Sequence, residues 1–395
     1  MCFPNGKNTM KKLEDYEWIC PEPFANLMTT TDSRYIPCCA LDYNALYKKH
    51  YDELSSTKKH TIKEYYESEF LNKFRDAIKN NDREFLKDIC KNCISTEKSG
   101  NRSHRQYYLS RYVRGDFKNK KKELEKVISN NSVPNFLHSV EALSIGGNIC
   151  NLSCNMCGSG CSSKYNSEAY KLHEEKFMLP MSSNYGKFIE DLNKFDILEM
   201  KFTGGEPLLI KKNYEVMSQL SKKTLVRIIT NGTVNPSRLI NILKDYRVDI
   251  MVSVEGTKDV TEYIRYGSDF NIVLKHFDMM QKVWGDSVMF TTTINALNIT
   301  SIPDLLNIRK GHAGSPVTNN FYSLNSIPYD IREKYLNKLY ETGQTDLIKY
   351  LENAEYNETD MWKMLRHIKR RDRLRGTNLL EVFPEWKEYY ETCNG

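Results

Sequence analysis

Three cysteines stand close together in the run Cys150-Asn-Leu-Ser-Cys154-Asn-Met-Cys157. In a reducing compartment such thiols are soft metal ligands, and three of them on one loop can hold three irons of a cubane iron–sulfur cluster. The fourth iron then has no protein ligand, and an amino acid can chelate it through its amine and carboxylate. A structural zinc site is the weaker reading, because zinc takes four ligands, usually as two separated pairs. Cys161 is the candidate for that fourth ligand.

Four later segments could line a ligand pocket beside this loop. Gly204-Gly205-Glu206-Pro207 brings glycines that let backbone approach a ligand, and it could equally be a tight turn. Asn231, in Thr-Asn-Gly-Thr, can hydrogen-bond a ribose or carboxylate, or serve a turn. Ser253 and Glu255 form Ser-Val-Glu-Gly, and Arg265 sits in Tyr-Ile-Arg-Tyr-Gly. Thr293 and Asn295 are further candidates to face a ligand.

These segments need elements to position them. Leu143–Ile145, Leu198–Phe202, Leu225–Ile229, Asp249–Val254, Val288–Ile294 and, more weakly, Asn320–Leu324 read as strands. Helices fall between them. Asn235 with Pro236 starts one with Leu239, Ile242 and Leu243 on one face; Asp269 caps another with Phe270, Val273, Phe277 and Met280 at helical spacing. Alternating strands and helices predict an α/β fold around a parallel sheet, with six units suiting a partial (β/α)6 barrel. The candidate residues fall just after the strands, where barrel chemistry sits.

A second group of cysteines, Cys20, Cys38, Cys39, Cys90 and Cys93, lies in the first quarter of the chain. Tyr35-Ile-Pro-Cys reads as strand-like, and residues 60–89 as helix with Phe70, Phe74 and Ile78 on one face. Residues 100–135 are polar and basic and mark a boundary. The chain after 329 reads as mostly helical, interrupted at Pro384. The expected domains are 1–135, 136–328 and a helical extension 329–395.

Of the 395 residues, 40% are hydrophobic, enough for a packed core. The net charge of +6 is slight and argues against a nucleic-acid partner, which would show a basic stripe. The dense run Lys118–Lys126 reads as a solvated face. No apolar run reaches membrane-spanning length, and the N-terminus lacks a signal-peptide core, so the chain is expected in the cytoplasm.

The cysteine run and the Gly-Gly-Glu-Pro, Asn-Gly and Ser-Val-Glu segments together resemble the radical S-adenosylmethionine (SAM) superfamily. The resemblance implies a [4Fe–4S] cluster on Cys150, Cys154 and Cys157 that chelates SAM. It places Gly204, Gly205, Glu206, Pro207, Asn231, Ser253, Glu255 and Arg265 around SAM, with Glu206 toward its amine and Arg265 toward its carboxylate. It implies reductive cleavage of SAM to a 5′-deoxyadenosyl radical that abstracts hydrogen from a peptide or small molecule. A flavodoxin- or ferredoxin-type electron donor would serve it.

The N-terminal cysteines resemble the twitch or SPASM auxiliary-cluster modules of that superfamily, here preceding the core. This implies a second [4Fe–4S] cluster on Cys20, Cys38, Cys90 and Cys93, with Cys39 competing with Cys38. A four-cysteine zinc site is the alternative. Ser33 stands where the module's hairpin has glycine. Two rival functions remain. Radical modification of RNA or a nucleotide would need a basic, aromatic-lined groove. A non-catalytic iron–sulfur or zinc protein would have no use for the intact Gly-Gly-Glu-Pro and Asn-Gly segments.

Overall fold

The computed structural model describes residues 11–30, 32–98, 100, 102–142, 147–175, 186–309, 311–317 and 321–394. Its strands, in chain order, are β1 (Asn26–Thr29), β2 (Tyr35–Ile36), β3 (Phe136–Leu137), β4 (Ser139–Ala142) and β5 (Asp196–Ile197). Then come β6 (Glu199–Phe202), β7 (Leu225–Thr230), β8 (Arg247–Ser253), β9 (Val288–Ile294) and β10 (Gly311–Pro316). The pairing is mostly parallel and the fold is α/β, as the alternating pattern predicts.

The chain forms two compact units. The first comprises Met1–Gly147, Ser182–Thr203 and Glu215–Val226; the second comprises Asn148–Met181, Gly204–Tyr214 and Arg227–Gly395.

In the first unit β4 pairs in parallel with both β1 and β6, and β1 turns back on β2. The β1–β2 turn runs through Ser33, whose φ of 67° is in the left-handed region. The serine thus adopts the conformation that the hairpin glycine would supply, at a steric cost that glycine avoids. Residues 60–89 form three helices, Ile62–Tyr66, Glu69–Lys79 and Arg83–Ile89, where the sequence predicts one. Local capping divides them. Ser68 accepts from Leu71 and Asp82 from Phe85, each offering a side-chain oxygen to a new helix N-terminus. Phe70, Phe74 and Ile78 do share the buried face, packed with Trp18, Phe24, Tyr112 and Leu124.

In the second unit β7, β8, β9 and β10 lie side by side in that order. β9 is the run Val-Met-Phe-Thr-Thr-Thr-Ile; its β-branched residues suit a pleated surface, and alternate side chains are buried. Asp269 caps the helix Phe270–Trp284 and accepts from the Asn271 and Ile272 amides, as expected. Asn235 lies two residues before the helix Ser237–Leu243, whose cap position is Pro236, and its Oδ1 accepts from the Ser237 amide.

Leu143–Ile145 lies outside the described residues, and β4 ends at Ala142. One strand expectation changes. Phe321–Leu324 is a turn leading into a 3-10 helix, and the edge strand is β10. The weak alternation at 320–324 reflects Tyr322 and Leu324 packing into the helical core of the C-terminal region. That core gathers Tyr335, Leu339, Met364, Leu365, Ile368 and Trp386 from the helices Tyr329–Thr342, Glu358–Arg375 and their neighbours. Pro384 stands between the helices Leu379–Val382 and Lys387–Thr392. No helix among the described residues is long and apolar enough to cross a membrane.

Candidate functional site: a cysteine loop and its supports

The loop carrying Cys150, Cys154 and Cys157 is fixed by hydrogen bonds at many points. The Ser163 hydroxyl accepts from the Cys150 amide at 3.2 Å, and the Ser162 hydroxyl donates to the Leu152 carbonyl at 2.6 Å while capping the helix Ser163–Lys171. The Ser153 and Asn155 amides donate to the carbonyls of Tyr266 and Ile264. The three thiols are therefore held by backbone geometry before any metal arrives.

Burial raises the pKa of each thiol, that of Cys154 to about 11. Weak donors surround the sulfurs. The Leu152 amide lies 3.5 Å from Cys150 Sγ, Asn231 Nδ2 lies 3.9 Å from it, and Arg265 Nη1 lies 3.9 Å from Cys154 Sγ. Such N–H groups stabilise thiolate ligands. Among the described residues, the one set of three or more His, Cys, Asp or Glu ligand atoms within 4.8 Å of one another lies elsewhere, so these sulfurs are spaced more widely than around a single ion. That spacing, and the all-sulfur donor set, fit a multi-iron cluster.

Gly205 packs directly against the loop. A Cβ added there would lie 2.2 Å from the Ile149 carbonyl oxygen, so only glycine permits the approach. The approach lets the Glu206 amide donate to that same oxygen at 2.7 Å. Gly204 carries a φ of 108°, which also favours glycine. Pro207 opens a short 3-10 turn.

The Glu206 carboxylate is fully buried. It accepts from Thr230 Oγ1 (2.7 Å), the Asn231 amide (2.7 Å) and the Leu208 amide (3.0 Å), and burial raises its pKa. Its side chain therefore splices the turn after β6 to the segment after β7. Asn231 continues the chain of contacts, donating to Asn151 Oδ1 on the cysteine loop at 3.0 Å.

Glu255 and Arg265 also meet. Arg265 Nε and Nη2 donate to Glu255 Oε1 at 2.9 and 2.6 Å, and Glu255 Oε2 accepts from the Thr293 amide and Asn298 Nδ2. Ser253 is buried at the end of β8. Thr293 is exposed, whereas Asn295 is buried and donates to the Thr293 carbonyl. Of the residues named from the sequence, Glu206, Asn231, Glu255 and Arg265 are thus joined to the cysteine loop through short contact chains.

One support lies far away in sequence. Arg375 ends the helix Glu358–Arg375 and donates to the Ser153 carbonyl (2.6 Å), the Ser153 hydroxyl (3.0 Å) and Glu168 (2.8 Å). It clamps the cysteine loop from behind. The only sequence signal was an arginine just before Gly376, the helix-ending glycine.

In the first unit Cys20, Cys38, Cys90 and Cys93 are all buried. Burial and the neighbouring Glu22, Cys93 and Cys90 raise the pKa of Cys20, which shows that these thiols lie within electrostatic reach of one another. Cys38 and Cys39 share a hydrogen bond that raises the first thiol and lowers the second. His104 and Glu22, not singled out by the sequence pattern, stand beside them. The spacing Cys90-x2-Cys93 followed by His104 was a signal that could have found the histidine.

Residues 144–308 of the chain match the model of the Radical SAM superfamily. Among curated proteins it is similar to a GTP 3′,8-cyclase of Synechocystis sp., with 23% identity over 203 residues. That match covers 47% of this chain and spans 59% of the cyclase's length. Among solved structures it is similar to anSMEcpe with bound AdoMet, at 17% identity and a TM-score of 0.35, covering 55% of this chain and 63% of that one. The same enzyme with AdoMet and the Cp18Cys peptide matches at the same score. A structural likeness this slight carries no argument about activity.

Proposed function

We propose that this protein reductively cleaves SAM at a [4Fe–4S] cluster held by Cys150, Cys154 and Cys157, and abstracts hydrogen from a peptide or small molecule. The observation that supports this best is the cysteine loop itself: three half-buried thiols in one loop, two of them flanked by N–H donors, tied to the Gly204–Pro207 turn and to the Glu255–Arg265 pair. The bound cluster and SAM would supply a 5′-deoxyadenosyl radical. The chain's own part is positioning. Glu206 and Asn231 hold the Gly204–Gly205 backbone against the loop, where peptide groups can meet the amine of SAM. Ser253, Glu255 and Arg265 form the polar wall assigned to its ribose and carboxylate. Arg375 keeps the loop from opening.

The core strands are assigned to the partial (β/α)6 barrel of this class. A flavodoxin- or ferredoxin-type protein is the proposed electron donor, and the cytoplasm the proposed location. In the first unit we assign Cys20, Cys90 and Cys93 to an auxiliary twitch-type cluster; the sequence pattern makes Cys38 its fourth ligand.

The test is anaerobic reconstitution followed by incubation with SAM and dithionite. 5′-Deoxyadenosine should form, and a Cys150/Cys154/Cys157→Ala variant should form none. Glu206→Ala should retain its iron and lose most of the product, since three buried donors then lack an acceptor. A reconstituted, iron-loaded protein that yields no 5′-deoxyadenosine would overturn the proposal.

A further inference from the structure

We infer that Cys38, Cys39 and His104 form a mononuclear zinc site in the first unit, distinct from any iron–sulfur cluster. The inference does not depend on the radical chemistry proposed above.

Among the described residues, Cys38 Sγ, Cys39 Sγ and one ring nitrogen of His104 lie within 4.8 Å of one another. Cys39 Sγ is 3.5 Å from His104 Nε2, and Glu22 Oε2 is 3.3 Å from that same nitrogen. Tetrahedral zinc with bonds of about 2.3 Å to sulfur and about 2.0 Å to nitrogen sets S···N near ~3.5 Å. The observed Cys39–His104 separation agrees with that geometry.

The competing reading is a Cys–His–Glu relay or a plain ion pair. A relay uses both ring nitrogens, one toward the acid and one toward the thiol. Here thiol and carboxylate converge on a single nitrogen. Nε2 carries at most one hydrogen, so it cannot donate well to both. The 3.3 Å contact is also longer than a charge-assisted N–H···O bond of about 2.7–2.9 Å. Cys38 Sγ, Cys39 Sγ and a His104 ring nitrogen stand at ligand spacing from one another, which suits a shared ion.

The surroundings agree. The Ala40 amide donates to Cys38 Sγ at 3.2 Å, a contact that favours a thiolate. Glu22 is 1% exposed, and its other oxygen, Oε1, lies 2.8 Å from His138 Nε2, while His138 Nδ1 lies 2.9 Å from the Tyr112 hydroxyl. A buried carboxylate held in this way beside the site's histidine is the usual outer support of a metal site. Two thiolates and one imidazole are a donor set that suits zinc, with the fourth position left to water. Cys38 then leaves an auxiliary cluster on Cys20, Cys90 and Cys93 one protein ligand short, with one iron open.

The experiment measures zinc and iron by mass spectrometry in full-length protein purified anaerobically from zinc-replete cells. Expected is one zinc per chain besides the iron. His104→Ala and Cys39→Ser should each lower zinc to background and leave iron unchanged. Cys90→Ala with Cys93→Ala should lower iron and leave zinc. Absence of zinc from the wild type overturns the inference, as does a His104→Ala variant that loses iron instead. If the variants do not fold, cobalt(II) exchanged into the wild type decides. Tetrahedral ligand-field bands with a thiolate charge-transfer band support the site, and their absence overturns it.

Discussion

At the scale of single residues, the site is held by side chains that bond to the protein more than they face a ligand. Glu206 is the clearest case: its carboxylate is taken up by Thr230, Asn231 and Leu208, so its influence on a cofactor must pass through the backbone it fixes. Arg375 acts in the same manner from the other side of the loop. Arg375 and Glu168 are 3% and 10% exposed, so removing the arginine strands a buried charge. Arg375→Ala should therefore destabilise the protein by about 3–5 kcal/mol and release iron from the cysteine loop. Arg375→Ala with Glu168→Gln should recover part of that loss. Thermal midpoints and iron content measured on the two variants check this, and an unchanged midpoint in the single variant would count against the clamp.

At the scale of elements, two turns decide how strands present the site. The Gly204–Pro207 turn touches the cysteine loop backbone to backbone, and no flexible side chain can yield there. Gly205→Ala should push the turn from Ile149, break the Glu206–Ile149 hydrogen bond and lower iron retention, read as iron per chain after reconstitution. The β1–β2 turn shows the opposite sign. Ser33 bears the steric cost of a left-handed φ that glycine adopts freely. Ser33→Gly should raise stability by about 1 kcal/mol, seen as a higher thermal midpoint. A lower midpoint would mean that the buried serine side chain contributes more than its backbone costs.

At the scale of the whole molecule, acid sensitivity is built into the C-terminal helices. His367 lies between the hydroxyls of Tyr165 and Tyr322, at 3.0 and 2.9 Å. Burial, reinforced by Arg371, Arg375 and Arg370, holds its pKa down to about 2. The unfolded chain titrates this histidine near pH ~6.5, so between those values the unfolded state binds more protons. Stability is then full above pH ~6.5 and is lost as pH falls below it. Denaturation midpoints measured across that range should fall on acidification, and His367→Asn should flatten the dependence. Parallel curves for variant and wild type would exclude His367 as the source.

The sequence alone determined what local chemistry can determine. Three close thiols read as a cluster loop whatever surrounds them, and β9 and the Asp269 helix follow from alternation and capping within a few residues. The tertiary structure decided which side chains direct their hydrogen bonds to one another. Glu255 and Arg265 look like two separate cofactor contacts in the chain, and folding makes them one ion pair beside Cys154. Cys38 looks like the partner of Cys20, Cys90 and Cys93, and folding keeps it near Cys20 while bringing Cys39 and His104 to its side. Periodicity and motif spacing report on neighbours along the chain. Convergence of residues from Glu22 to His104, or from Ser153 to Arg375, depends on packing that only the folded core imposes.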